Sequence, residues 1–278
     1  MRKPIGVIAF LTDVGYIDPY AGSMEGVALS SCLDVRTVCI THNIPSFDIH
    51  EAAFTLLATY SYFPPGTIFV VVVVPGVGSS EKPVLIVTKN YFFVGPNNGV
   101  LVPAAEDDGI EDVLLLNKYE CFRKPVSETF QGRDMSVPVA ALLVCGASPQ
   151  ELGSPLNQGA LTKVSIGLGY ARVEGGCVEL KVIHTDKYGN VILSQYYREL
   201  ASKLKVRASD IVEVRSEEVR SRACIEKSFS STSRGTLILY GNSYEYAELA
   251  INQGSAQSLL KVRRGDVVRI CRQRNPEG

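Results

Sequence analysis

The apolar positions of the first half of the chain alternate between two spacings. Ile5 to Leu11 is a nearly continuous apolar run of strand length, and Tyr20 to Ser31 follows with Met24, Val27 and Ala28 at helical spacing. Val35 to Ile40 reads as a second strand. Glu51 to Tyr62 reads as a second helix, with Phe54, Leu57 and Ala58 on one face and Phe63-Pro64-Pro65-Gly66 stopping it. Thr67 to Val74 is a β-branched and aromatic run with no polar alternation, which predicts a central parallel strand buried on both faces. It ends at a turn, Pro75-Gly76-Val77-Gly78. Val84 to Val87 and Tyr91 to Val94 then predict a hairpin around Thr88-Lys89-Asn90. Met135 to Cys145 predicts a helix, with Pro138 in its first turn and Gly146 at its end.

The second half has a different rhythm. Val178, Leu180 and Val182 alternate with Glu179 and Lys181, as in a half-buried strand. Further strand signals lie at Val191 to Leu193, Ile211 to Val214, Leu237 to Tyr240, Ala247 to Ile251 and Val267 to Cys271. Turn segments such as Tyr188-Gly189-Asn190 and Gly265-Asp266 separate them. The expected fold is α/β: an N-terminal domain over 1–160 with a mostly parallel sheet and helices, a linker over 161–172, and a small C-terminal β-barrel or sandwich over 173–278.

Composition narrows the function classes. Of 278 residues, 28 are Lys or Arg and 29 are Asp or Glu, so no basic excess recruits a nucleic acid. The longest apolar run falls far short of the ~18 residues that cross a bilayer, so no membrane association is expected. The first eleven residues imitate a short secretory signal, but they lack a small-x-small cleavage site and run straight into Thr12-Asp13, which favours a buried first strand. The seven cysteines show no zinc or redox spacing and read as buried thiols, which places the protein in a reducing compartment, the cytoplasm. Three histidines, His42, His50 and His184, argue against a metal cluster, and no metal or other cofactor is expected.

Ligands of an open α/β sheet sit beyond the carboxyl ends of its strands. Three polar turns fall there: Thr12-Asp13, Thr41-His42-Asn43 and the turn after the valine run. Asp13 suits a vicinal diol such as a ribose, although the same carboxylate could simply cap a turn. Phe130-Gln131-Gly132-Arg133-Asp134 enters a helix whose first amides could hold an anion or an attacking oxygen, or else Arg133 and Asp134 only cap it. Asp186 to Asn190 and Asn242-Ser243-Tyr244 offer carboxylate, amide and hydroxyl groups at strand turns, or are only turns. No P-loop, dinucleotide fingerprint or Gly-x-Ser-x-Gly elbow occurs.

In their order these segments resemble the S-adenosyl-L-methionine (SAM)-dependent adenosyltransferases, the adenosine-forming SAM hydrolases and their fluorinase and chlorinase relatives. The resemblance rests on Leu11-Thr12-Asp13-Val14-Gly15 with Asp18-Pro19-Tyr20, Thr41-His42-Asn43-Ile44-Pro45 with Phe47-Asp48, and Tyr62-Phe63-Pro64 with Gly66-Thr67. It continues through Pro75-Gly76-Val77-Gly78, Gly95-Pro96-Asn97-Asn98-Gly99, Thr129-Phe130-Gln131-Gly132-Arg133-Asp134, Asp186 with Tyr188-Gly189-Asn190, Asn242-Ser243, and Asn252-Gln253-Gly254-Ser255-Ala256. The resemblance implies a Rossmann-like N-terminal domain, a C-terminal barrel, and a homotrimer with active sites between subunits. It also implies SAM as substrate, with adenosine and L-methionine as products of displacement at the ribose C5′. Asp13 would hold the ribose, Asp18 and Asp186 the methionine amine, Ser243 its carboxylate, and Asn190 with the Gly254 backbone the adenine. Phe47 and Phe130 would line the pocket, and Val74, Gln131 and Gly132 would surround the attacking group.

Three positions depart from the hydrolase branch, which carries an Asp–Arg–His set around its water. Val74 stands where the Asp belongs, Ser80, Glu81 and Lys82 cover the place of the Arg, and Gln131 replaces the His. Gln131 can orient water but cannot take its proton. Tyr244-Glu245 also departs from the relatives, which often carry Gly two residues beyond the Ser. The first expectation is therefore a SAM hydrolase with an altered water site. A non-catalytic binder of SAM or adenosine is the second. A halide-using enzyme is the third, opposed by the aromatic residue that the halogenases carry at Val74 and the Ser that fluorinases carry at Gly132.

Overall fold

The computed structural model describes residues 3–76 and 82–273. Val77, Gly78, Ser80 and Glu81 of the readings above lie outside the described residues. The chain divides into two compact units, 1–164 and 165–278.

The N-terminal unit holds a seven-stranded sheet: β1 (Val7–Thr12), β2 (Arg36–Thr41), β3 (Ile68–Val72), β4 (Pro83–Thr88), β5 (Phe92–Pro96), β6 (Ile110–Leu115) and β7 (Ser154–Pro155), in the spatial order β2-β1-β3-β5-β4-β6-β7. The strands β2, β1, β3 and β5 are mutually parallel, and β4, β6 and β7 are attached antiparallel. The valine run does form the central strand, and every residue of β3 is buried. It leaves the sheet two residues early, because Val73 and Val74 already belong to the exit turn. The apolar start of the chain is likewise a buried strand, with Ile8, Ala9, Phe10 and Leu11 fully inaccessible. Helices α1 (Tyr20–Ser31), α2 (Ile49–Thr59), α3 (Val102–Asp108) and α4 (Val137–Val144) cover the sheet. Asp48 caps α2 by accepting from the Glu51 amide at 3.0 Å. His50 lies inside the first turn of that helix rather than before it, and is exposed.

The C-terminal unit is a closed barrel. Its strands are β8 (Ala171–Glu174), β9 (Cys177–Thr185), β10 (Val191–Tyr196), β11 (Ile211–Arg215), β12 (Arg220–Ile225), β13 (Leu237–Gly241), β14 (Tyr246–Ile251) and β15 (Val267–Arg272). Pairing runs β10-β14-β13-β12-β11-β15-β9, and the β9–β10 ladder closes the ring while β8 lies outside on β9. Alternation sets the inside and outside: Val178, Leu180, Val182, Ala247 and Leu249 join the core, whereas Glu248 stands between Ala247 and Leu249 on the opposite face of β14. The hydrophobic pattern does not reveal β8 and β12. Only Ala223 and Ile225 of β12 are buried, and charged or small residues occupy the rest.

The cysteine reading is corrected. Cys32 pairs with Cys145 and Cys177 with Cys271, with Cα atoms 5.9 and 4.0 Å apart. The argument for a reducing compartment therefore fails. Among the described residues no helix is long and apolar enough to cross a membrane. Thiol titration of the unreduced, unfolded protein is expected to find the thiols of Cys39, Cys121 and Cys224 and no others. Seven reactive thiols would contradict both bridges.

Candidate functional site

Three parallel strands end side by side in the N-terminal unit. Thr12 of β1 is opposite Val72 of β3, and Leu11 is opposite Thr41 of β2. The residues that follow, Asp13, His42 and Val73-Val74, therefore leave one edge of the sheet together. Two exit loops are laced to each other. The Gly15 amide donates to the His42 carbonyl at 2.7 Å, and the Ile44 amide donates to the Thr12 carbonyl at 3.2 Å. Buried between them, Thr12 Oγ1 and His42 Nδ1 share a hydrogen bond of 2.8 Å. Burial holds the His42 imidazole below its usual pKa, against an opposing pull from Glu25, so the ring is neutral. The Tyr16 ring meets it edge-on at 4.9 Å.

Asp13 and Phe47 come together on this edge. The Phe47 amide donates to Asp13 Oδ2 at 2.8 Å. Phe47 takes a left-handed conformation, with φ at 68°, and is 60% exposed. A phenylalanine tolerates that conformation only where its surroundings impose it, and such strain gathers at ligand sites. Asp18 is exposed two residues before Tyr20, whose ring meets Phe130 edge-on at 5.5 Å.

Val74 is half-buried beyond β3, where Asn98 Nδ2 donates to the Val73 carbonyl at 2.9 Å. A π-helix over Gly132–Ser136 sits on the same strand end, with Gln131 as its N-cap, and runs into α4. Gly132 is required there by contact. A Cβ on it would lie 2.6 Å from both γ-carbons of Val72, so a side chain at 132 has to move the Val72 side chain. This is a physical obstacle to a serine at that position. The segment is fixed by Asp134, which is completely buried. Arg133 grips it with Nε and Nη2 at 2.7 Å each, the Ser127 amide donates to it at 2.9 Å, and Arg123 approaches at 3.4 Å. Burial alone would push the Asp134 carboxyl up. The Arg133 fork and the Ser127 amide outweigh it and hold the group below the ordinary carboxylate range. The pair is thus a structural hub, and more than a cap.

In the barrel, Asp186 and Asn190 share one turn. Asp186 accepts from the Tyr188 and Asn190 amides and from Asn190 Nδ2, each at 2.9 Å. Gly189 has φ at 81° and would set a Cβ 2.7 Å from the Ser255 Cβ, so this turn rests against the segment that begins at Gly254. Ser243 stands at the other end of β14, on a turn where Asn242 Oδ1 accepts from the Tyr244 and Tyr246 amides at 2.9 and 3.1 Å. Asn242 is in turn held by Nδ2 to the buried Glu248 at 2.8 Å, and Glu248 also receives the Tyr240 hydroxyl. Burial pushes the Glu248 carboxyl up despite those two donors. Sequence reasoning passed over Glu248. The signal was a lone acid inside the apolar stretch Tyr246 to Ile251.

The chain matches the SAM hydroxide adenosyltransferase N-terminal domain over residues 8–153 and the corresponding C-terminal domain over residues 180–269. It is 31% identical over 265 residues to an (R)-S-adenosyl-L-methionine hydrolase of Salinispora arenicola, covering 95% of this chain and 97% of the relative. A fluorinase of Actinopolyspora mzabensis is 21% identical over 290 residues, covering 96% and 97%. Among solved structures, an uncharacterized conserved protein from Thermotoga maritima superposes with a TM-score of 0.89 at 34% identity, covering 95% of this chain and all of that one.

Proposed function

Because the chain belongs to the SAM hydroxide adenosyltransferase family, we propose that it hydrolyses SAM to adenosine and L-methionine. The observation that carries this reading is the convergence of Asp13, Phe47, Val74 and Gly132 on one edge of the sheet. Asp13 takes the ribose hydroxyls. Its Oδ2 already accepts the Phe47 amide, which aims the carboxylate and leaves Oδ1 and a second lone pair for the diol. Phe47 and Phe130 supply apolar walls.

The barrel residues divide the rest of the substrate. Asp186 spends three acceptor sites in its own turn, leaving one of about four for the methionine amine. Asn190 donates its Nδ2 to Asp186, so its Oδ1 is the acceptor for the adenine amino group, beside the Gly254 backbone. Ser243 takes the methionine carboxylate. We further propose a homotrimer, whose mass in solution is about three times 30.2 kDa.

The chemistry asks little of the protein at the leaving group. The sulfonium departs as neutral methionine, so the site must align a water behind C5′ and strip it of other solvent. Val74 gives an apolar wall, the Gly132 amide a donor, and Gln131 an orienting amide. A halide needs no proton acceptor and could use the same Val74 wall and Gly132 amide, so the product decides between the two nucleophiles. Incubation with SAM in chloride buffer followed by chromatography is the test. Adenosine and methionine are expected; 5′-chloro-5′-deoxyadenosine, or bound and unchanged SAM, would overturn hydrolysis.

A further inference from the structure

Hydrolysis leaves one task without a residue. Water that attacks C5′ must lose a proton, and the Gln131 amide is too weakly basic to keep it. Gln131 also lines a cavity of about 360 Å³, together with Lys82, Glu128, Phe122 and Met135. The sheet places that cavity on the catalytic edge. In the β4–β5 pair Pro83 is opposite Pro96, and in the β4–β6 pair Val84 is opposite Leu115. The ends of β3, β5 and β6 and the start of β4 therefore share one edge. Two strand spacings, about 10 Å, separate β3 from β4.

Three titratable groups line the cavity: Lys82 at the entry to β4, Tyr119 from a short 3-10 turn, and Glu128 from the loop before the π-helix. Its lining thus holds one cation and one anion. Glu128 is not on a loose loop. Its neighbour Ser127 donates its amide to the buried Asp134 and hydrogen-bonds Thr129 through the two hydroxyls at 3.1 Å. Asp134 belongs to the same π-helix that Gln131 opens. The loop holding Glu128 and the segment holding Gln131 are thus anchored at one point.

We propose that Glu128 is the terminal proton acceptor of the hydrolysis, taking over the task of the missing Asp and His. This deepens the hydrolase reading and rests on it. The water oxygen forms the new bond to C5′, the C5′–sulfur bond breaks, and its electron pair stays on sulfur as methionine leaves. The proton shed by the attacking water passes through cavity water to the Glu128 carboxylate, giving the neutral acid, which returns it to solvent.

The test compares SAM turnover by the wild type, Glu128→Gln and Glu128→Asp across pH. Glu128 is exposed, so both variants should keep the wild-type melting temperature. Glu128→Gln is expected to lower kcat at least ~10-fold with KM within about twofold, and to flatten the acid limb of the pH–rate profile. Glu128→Asp should recover part of both. A Glu128→Gln variant with wild-type kcat and an unchanged profile overturns the proton-acceptor role and leaves hydrolysis standing. A wild-type protein that makes no adenosine overturns hydrolysis and this role with it.

Discussion

Replacing Asp13 with alanine is expected to weaken adenosine binding by at least ~100-fold, read as the dissociation constant by calorimetry. A carboxylate that accepts from two ribose hydroxyls contributes about 1.5–3 kcal/mol per bond, and each 1.4 kcal/mol is tenfold in affinity. The variant also removes the acceptor of the Phe47 amide. That second loss is small for folding, because the Phe47 turn is open to water, and about 1 kcal/mol of stability is expected to go with it. A folded Asp13→Ala variant with wild-type affinity for adenosine would remove Asp13 from the site.

The second large effect lies at Asp134. Asp134→Ala strips the partner from Arg133 and Arg123 and leaves the Ser127 amide without its acceptor. Breaking a buried pair costs about 3–5 kcal/mol, and Arg133 keeps some access to solvent, so a loss of about 3 kcal/mol is expected. In a unit of this size that lowers the melting temperature by about 10 °C. The sign of the pH dependence follows from a folded pKa held below the unfolded one. The contribution of Asp134 is fully present above the ordinary carboxylate range and is lost as pH falls through the depressed value. The stability gap between wild type and Asp134→Ala should therefore narrow on acidification. A gap that stays constant or widens in acid would contradict the ionised hub.

Much of this arrangement was legible in the residues. A central parallel strand is the only comfortable place for Ile68 to Val72, since nothing in the run can face water. Alternation in Val178 to Val182 announced a half-buried strand, which joins six others in the closed barrel. Chemistry at strand ends pointed to Asp13, and the entry to a helix pointed to Gln131-Gly132. What stayed hidden depends on partners far apart in sequence. Cys32 and Cys145 are separated by 113 residues and Cys177 and Cys271 by 94, so a search for short spacings could not pair them. The antiparallel edge of the N-terminal sheet was read only in part: the hairpin of β4 and β5 was predicted and is present, whereas β6 and β7 were not read as strands. Glycine at 132 was seen as an amide donor. Its contact with Val72, which a side chain there would have to displace, needed the packed structure. Likewise Arg133-Asp134 looked like a local cap, and only burial showed it tying the Ser127 loop to the π-helix.

The central claim is that water attacks the ribose C5′ of SAM while methionine departs. Turnover in water enriched in heavy oxygen tests it most directly, with mass spectrometry of both products. The account predicts adenosine carrying the label in its 5′-hydroxyl and methionine carrying none. Unlabelled adenosine, label in methionine, or no release of adenosine from a protein that binds SAM would contradict it.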